Sequence, residues 1–124
     1  MYYNCIEVKP YDLSWEYYGN YADRWLADQN FTGKTFIFKN ITVTSFMLDN
    51  KDAGYMWVEQ LRCTEANKGD IAKLKDGDVI DIIGVNRGVP PNEYWALLIT
   101  DCIFVPAGSL SLPLPGGDVF APTY

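Results

Sequence analysis

The stretch DVIDIIGVNRG, residues 78–88, followed after a loop by LLITDCIFV, residues 97–105, decides the fold. The first reads as a Gly77-Asp78 turn, an alternating strand and a glycine. The second reads as a long closing strand with Cys102 in its middle. Pro90 and Pro91 mark the loop between them, and a short helix ending in Lys73-Leu74-Lys75-Asp76 precedes them. Helix, turn, strand and last strand make the second half of a small barrel. The class expected is all-β with flanking helices: a five-stranded OB-fold barrel with an N-terminal helix and a short helix between strands three and four.

Working outward, the pattern predicts the remaining elements. Residues 1–11 form an arm with a short strand. Asp12 or Ser14 caps a helix over 12–30, with Glu16 in its first turn. Tyr18, Ala22 or Tyr21, Trp25 and Leu26 recur on it at helical spacing and read as core packing. Gly19 weakens its middle. A turn at 31–34 leads into the first barrel strand, 35–46. Phe36, Phe38, Ile41 and Val43 change phase along it, which predicts a bulge near Lys39-Asn40. A polar turn at 49–53 precedes strand two, 54–58, and strand three, 61–64. The short helix spans 65–74. Strand four covers 79–85, a long loop 86–93 and strand five 94–105. The barrel domain is thus 12–105. The remainder, 106–124, is rich in Pro and Gly and carries no Lys or Arg.

Composition bounds the chemistry. The 124 residues are 48% hydrophobic and 15% aromatic, enough for one domain with a real core. No apolar run approaches the roughly 18 residues of a membrane helix. The N-terminus lacks the basic start and apolar run of a signal peptide. The sequons at Asn30 and Asn40 are too common a pattern to assign a compartment. Ten Lys and Arg against sixteen Asp and Glu give a net charge of −6, which disfavours nucleic acid. With no histidine, His-based triads and His-ligated zinc are excluded. The three cysteines are too few for a Cys-only zinc site. Strands three and five of such a barrel run side by side, so Cys63 and Cys102 are a candidate disulfide and Cys5 is left over.

Two segments around these elements resemble a bacterial OB-fold family named for its likeness to the anticodon-binding domain of tRNA synthetases. The first is Ala27-Asp28-Gln29-Asn30-Phe31-Thr32-Gly33-Lys34, leading from helix to strand. The second is Leu74-Lys75-Asp76-Gly77-Asp78, with Gly84 and the pair Asp101-Cys102 further on. The resemblance covers about 12–105 and implies an OB-type binding module. It departs from the pattern at Lys39-Asn40 and at both termini.

No catalytic set, metal site or cofactor is expected. Asp76, Asp78 and Asp81 read as turn and strand chemistry. Asp49-Asn50-Lys51-Asp52 lacks the downstream Glu of a calcium loop. A binding face is expected on strands two and three and the neighbouring loops, from Tyr55, Trp57, Arg62, Arg87, Tyr94 and Trp95. These residue types anchor protein interfaces and also stack nucleic-acid bases. An assembly arm is expected from Leu110, Leu112, Leu114, Val119, Phe120 and Tyr124, buried against another copy of the chain. The function expected is non-enzymatic protein contact, as self-assembly through the terminal arms. The alternative is single-stranded nucleic-acid binding.

Overall fold

The computed structural model describes residues 5–93 and 95–110. Six strands form one open mixed sheet in the order β1-β2-β5-β6-β4-β3. They are β1 (Ile6–Glu7), β2 (Thr35–Thr42), β3 (Tyr55–Val58), β4 (Leu61–Glu65), β5 (Val79–Asn86) and β6 (Leu97–Pro106). Helices α1 (Pro10–Tyr18) and α2 (Arg24–Phe31) lie between β1 and β2, and 3₁₀ turns span Met47–Ala53 and Ile71–Lys73. The β-rich class with flanking helices is therefore present. The sheet has six strands rather than five and ends at β1 and β3.

The sixth strand comes from the N-terminal arm. Ile6 and Glu7 pair in parallel with Phe36 and Ile37, and the Val8 N–H donates to the Ile37 carbonyl at 3.2 Å. Residues 6–8 of this arm thus pair with the chain's own sheet. The β2 bulge lies where the phase change predicted it. Pairing with β5 breaks between Phe38 and Ile41, and Asn40 takes a positive φ of 56°. The Asn40 N–H freed from the ladder donates to Asp81 Oδ1 at 2.9 Å. The other oxygen of this buried carboxylate accepts from the Gly108 N–H at 3.1 Å. Asp81 is therefore a structural clasp.

The expected helix over 12–30 is two helices. Gly19 adopts an extended conformation (φ −66°, ψ 167°), and Asp23 caps a fresh start by accepting from the Leu26 N–H at 3.1 Å. The first helix begins at Pro10, with Lys9 rather than Asp12 or Ser14 as cap; Ser14 instead donates to the Tyr11 carbonyl. The break rotates the stripe apart. Trp25 and Tyr21 are exposed, while Leu13, Tyr17, Ala27 and Phe31 face the core. The expected helix over 65–74 shrinks to one 3₁₀ turn. Gly69 at φ +93° interrupts it, and the Glu65 carboxylate takes the Gly69 and Ile71 N–H groups at 2.9 Å each.

Phe36, Phe38, Met56, Leu61, Ile82, Leu97 and Ile99 form the main core with those helical residues. Burial of each such side chain is worth about 1.5–3 kcal/mol. A smaller cluster of Cys5, Ile37 and Ile83 covers the reverse face, with Leu110 packed on it. Where β5 pairs with β6, side chains of β6 fill the space over Gly84. A Cβ on Gly84 would lie 2.6 Å from Ile99 Cγ2 and 2.8 Å from Cys102 Sγ.

Helices and sheet are joined by Asn86, which is fully buried. Its amide donates to Tyr17 Oη at 2.9 Å and to the Phe31 carbonyl at 3.1 Å, and its oxygen accepts from the Gly88 N–H at 2.9 Å. Tyr17 Oη also lies 2.7 Å from Thr32 Oγ1, which donates to Asp28 Oδ1.

Candidate aromatic binding face

Strand β3 alternates strictly. Met56 and Val58 point into the core, so Tyr55 and Trp57 point outward. Trp57 sits opposite Arg62 of β4. The Tyr55 and Trp57 rings meet edge to face, with centroids 6.3 Å apart. The Arg62 guanidinium lies 5.7 Å from the centre of the Tyr55 ring. Trp95 comes from the loop before β6 and stacks on Trp57 at 4.9 Å, with 54% of its own surface exposed. Four of the six expected face residues therefore form one continuous surface.

Trp95 is held in place from beneath. Tyr18 Oη of α1 donates to the carbonyl of the next residue, Ala96, at 2.7 Å. Burial raises the Tyr18 phenol above its ordinary range despite the nearby Arg24. Glu93 accepts from Arg62 Nη1 at 2.7 Å, a charge-assisted pair that fixes the guanidinium. Among the described residues, the second oxygen of Glu93, Oε2, is buried without a hydrogen-bond partner. The pairing of Glu93 depends on the path of the 86–93 loop, which no local pattern encodes.

Arg87 does not join the face. It bonds Thr100 Oγ1 at 2.8 Å and Asp101 Oδ2 at 3.1 Å, because its strand ends beside β6. Tyr94 lies outside the described residues. So do Leu112, Leu114, Val119, Phe120 and Tyr124 of the expected assembly arm; Leu110 alone is described, half-buried on the reverse cluster.

Cys63 and Cys102 sit on neighbouring parallel strands, as expected, but as free, buried thiols rather than a disulfide. A hydrogen bond with Cys63 raises the Cys102 thiol far above its ordinary range, and burial adds to this. Burial likewise raises Cys5. Among the carboxylates weighed for catalysis, Asp78 accepts from the Lys75 N–H in its turn and Asp81 is the clasp described above. Among the described residues no helix is long and apolar enough to cross a membrane.

Compared with protein-family models, curated proteins and solved structures, the chain matches none.

Proposed function

We propose that this chain is a non-enzymatic binding module of OB type that acts through protein–protein contact, with other copies of itself among its partners. The observation that carries this reading is the joined surface of Tyr55, Trp57, Trp95 and Arg62. Tyr, Trp and Arg clustered on a rigid sheet are the anchors that dominate protein interfaces. The OB assignment is supported by strand order: with β1 set aside, the third and fifth strands run side by side and parallel. An OB barrel presents ligands to its second and third strands, where this face lies, and such barrels are often partly open. The likeness to the anticodon-binding-like family remains part of this proposal.

The alternative, single-stranded nucleic acid, draws on the same stacked rings. Charge argues against it. Arg62, the cation of the face, is paired with Glu93, and Lys39 beside it with Glu7. The experiment is light scattering of the full chain across a concentration series, beside Trp95→Ala and a chain ending at Leu110. Self-association that Trp95→Ala abolishes supports the face. Loss only on truncation moves the assembly to the terminal arm. A monomer at every concentration removes the self-assembly reading. Tight, salt-sensitive binding of a fluorescent oligonucleotide that Trp57→Ala abolishes would replace the proposal with the alternative.

A further inference from the structure

Helix α1 leaves an aromatic stripe outside the core, and we propose that the groove along it holds the chain's own C-terminal segment, residues 112–122. Leu13 and Tyr17 of α1 are buried, whereas Tyr11, Trp15 and Tyr18 follow one another at helical spacing on another side. Tyr11 is 57% exposed and stacks on Trp15 with ring centres 5.7 Å apart. The stripe lines a groove of about 310 Å³ against Glu59 and Gln60 of the β3–β4 turn. A larger groove of about 700 Å³ shares Tyr11 and Glu59 with it, and there Phe46 is 75% exposed. The wall facing Phe46 includes Lys9 at the start of α1 and Asn40 at the β2 bulge. One run of exposed rings thus joins the helix to the turn, and α1 builds half of it.

The sequence supplies an occupant within reach. Leu110 packs on Cys5, Ile37 and Ile83. Lys39 and Asn40 of the groove wall follow Ile37 on the same strand by two and three residues. A stretch the length of residues 111–117 covers roughly 20 Å, at about 3.1 Å per residue in polyproline form. That length leads from Leu110 round the edge of the sheet beside β1 and into the groove. Residues 112–122 read LPLPGGDVFAP, with three prolines, Val119 and Phe120 as apolar anchors, one acid and no Lys or Arg.

Groove and segment match in chemistry. Proline-rich segments dock on aromatic-lined grooves because they are already stiff and lose little entropy on binding. They offer many carbonyls and few N–H groups, so the groove must supply donors. Lys9, Asn40 and Gln60 supply them, with side chains that make no hydrogen bond or ion pair among the described residues. Lys39 is tied to Glu7 at 3.0 Å, which leaves Lys9 as the counter-charge for Asp118. Glu59, on the wall that both grooves share, disfavours a more acidic ligand. Tethering raises the local concentration of the segment to about 1 mM, so a site with a Kd of about 0.1 mM is filled roughly ten to one by the chain's own segment.

The test uses full-length chains and a synthetic peptide of residues 111–124, followed by isothermal titration in dilute solution. The double variant Val119→Ser/Phe120→Ser removes the anchors of the tethered segment and frees the groove. The peptide is expected to bind this variant with a Kd of about 0.1 mM or tighter. The unaltered chain is expected to bind it at least about tenfold more weakly, because its own segment competes. Tyr11→Ala or Phe46→Ala, added to the double variant, alters an exposed side chain and leaves the fold intact, as circular dichroism will check. Each is expected to weaken the peptide at least about tenfold. Arg62→Ala, added in the same way, removes a residue of the aromatic face that lines neither groove and is expected to change nothing. Its neutrality separates this docking from the self-contact proposed for the aromatic face. The proposal is overturned if the peptide does not bind the double variant, if the unaltered chain binds it equally well, if binding survives both groove substitutions, or if Arg62→Ala abolishes it.

Discussion

Replacing Asn86 with alanine tests how helices and sheet are held together. In the folded chain the Asn86 amide satisfies the Phe31 carbonyl and the Gly88 N–H, and bonds Tyr17 Oη. Alanine leaves the buried Gly88 N–H without its acceptor, at a cost of about 1–3 kcal/mol. The Phe31 carbonyl keeps the Lys34 N–H and Tyr17 keeps Thr32, so the loss at each of these is smaller. The sum is about 3 kcal/mol, a large part of a total stability of roughly 5–15 kcal/mol. With a urea slope of about 1.5 kcal/mol/M, the unfolding midpoint falls by about 2 M. Urea titration followed by tryptophan fluorescence reads this directly. Tyr17→Phe alone is expected to cost about 1 kcal/mol. The double variant is expected to cost less than the sum by at least about 0.5 kcal/mol, because both remove the same bond. An Asn86→Ala cost below about 0.5 kcal/mol, or strict additivity with Tyr17→Phe, refutes the network as a support of the fold.

Further outcomes follow from other contacts. Gly84→Ala forces a methyl against Ile99 and Cys102 and is expected to destabilise by about 1–3 kcal/mol, read as a lowered thermal midpoint. Burial raises the Tyr17 phenol above its unfolded value near 10. The neutral form is thus favoured by folding, so this contribution is whole below about pH 10 and is lost as pH rises above it; urea midpoints at pH 8 and pH 11 will show the fall, reduced in Tyr17→Phe. The three thiols are buried, and those of Cys5 and Cys102 are raised. N-ethylmaleimide is expected to leave all three unmodified in the native chain and to label all three in urea, as mass spectrometry counts.

What was legible in the sequence is what short-range pattern encodes. Apolar runs at 79–86 and 97–105 mark the two long central strands, and along the first both faces are buried. The phase change at Lys39-Asn40 marks the bulge, because strand side chains repeat every two residues. Tyr55 and Trp57 share a face through that period alone, so the centre of the aromatic face was readable from the sequence. The helical stripe misled because Gly19 and Asp23 split it, and a break of a few residues turns one face away from the other. The chain's termini and loops carry no period. That Ile6 pairs with its own sheet, that Glu93 captures Arg62, that Arg87 turns to Asp101 and that Asn86 binds two helices to a strand all join residues far apart in sequence. Such pairings depend on strand order and loop path, which are settled by the packing of the whole core. Residue type and spacing determined which side chains face outward; only the tertiary structure decided which of them meet.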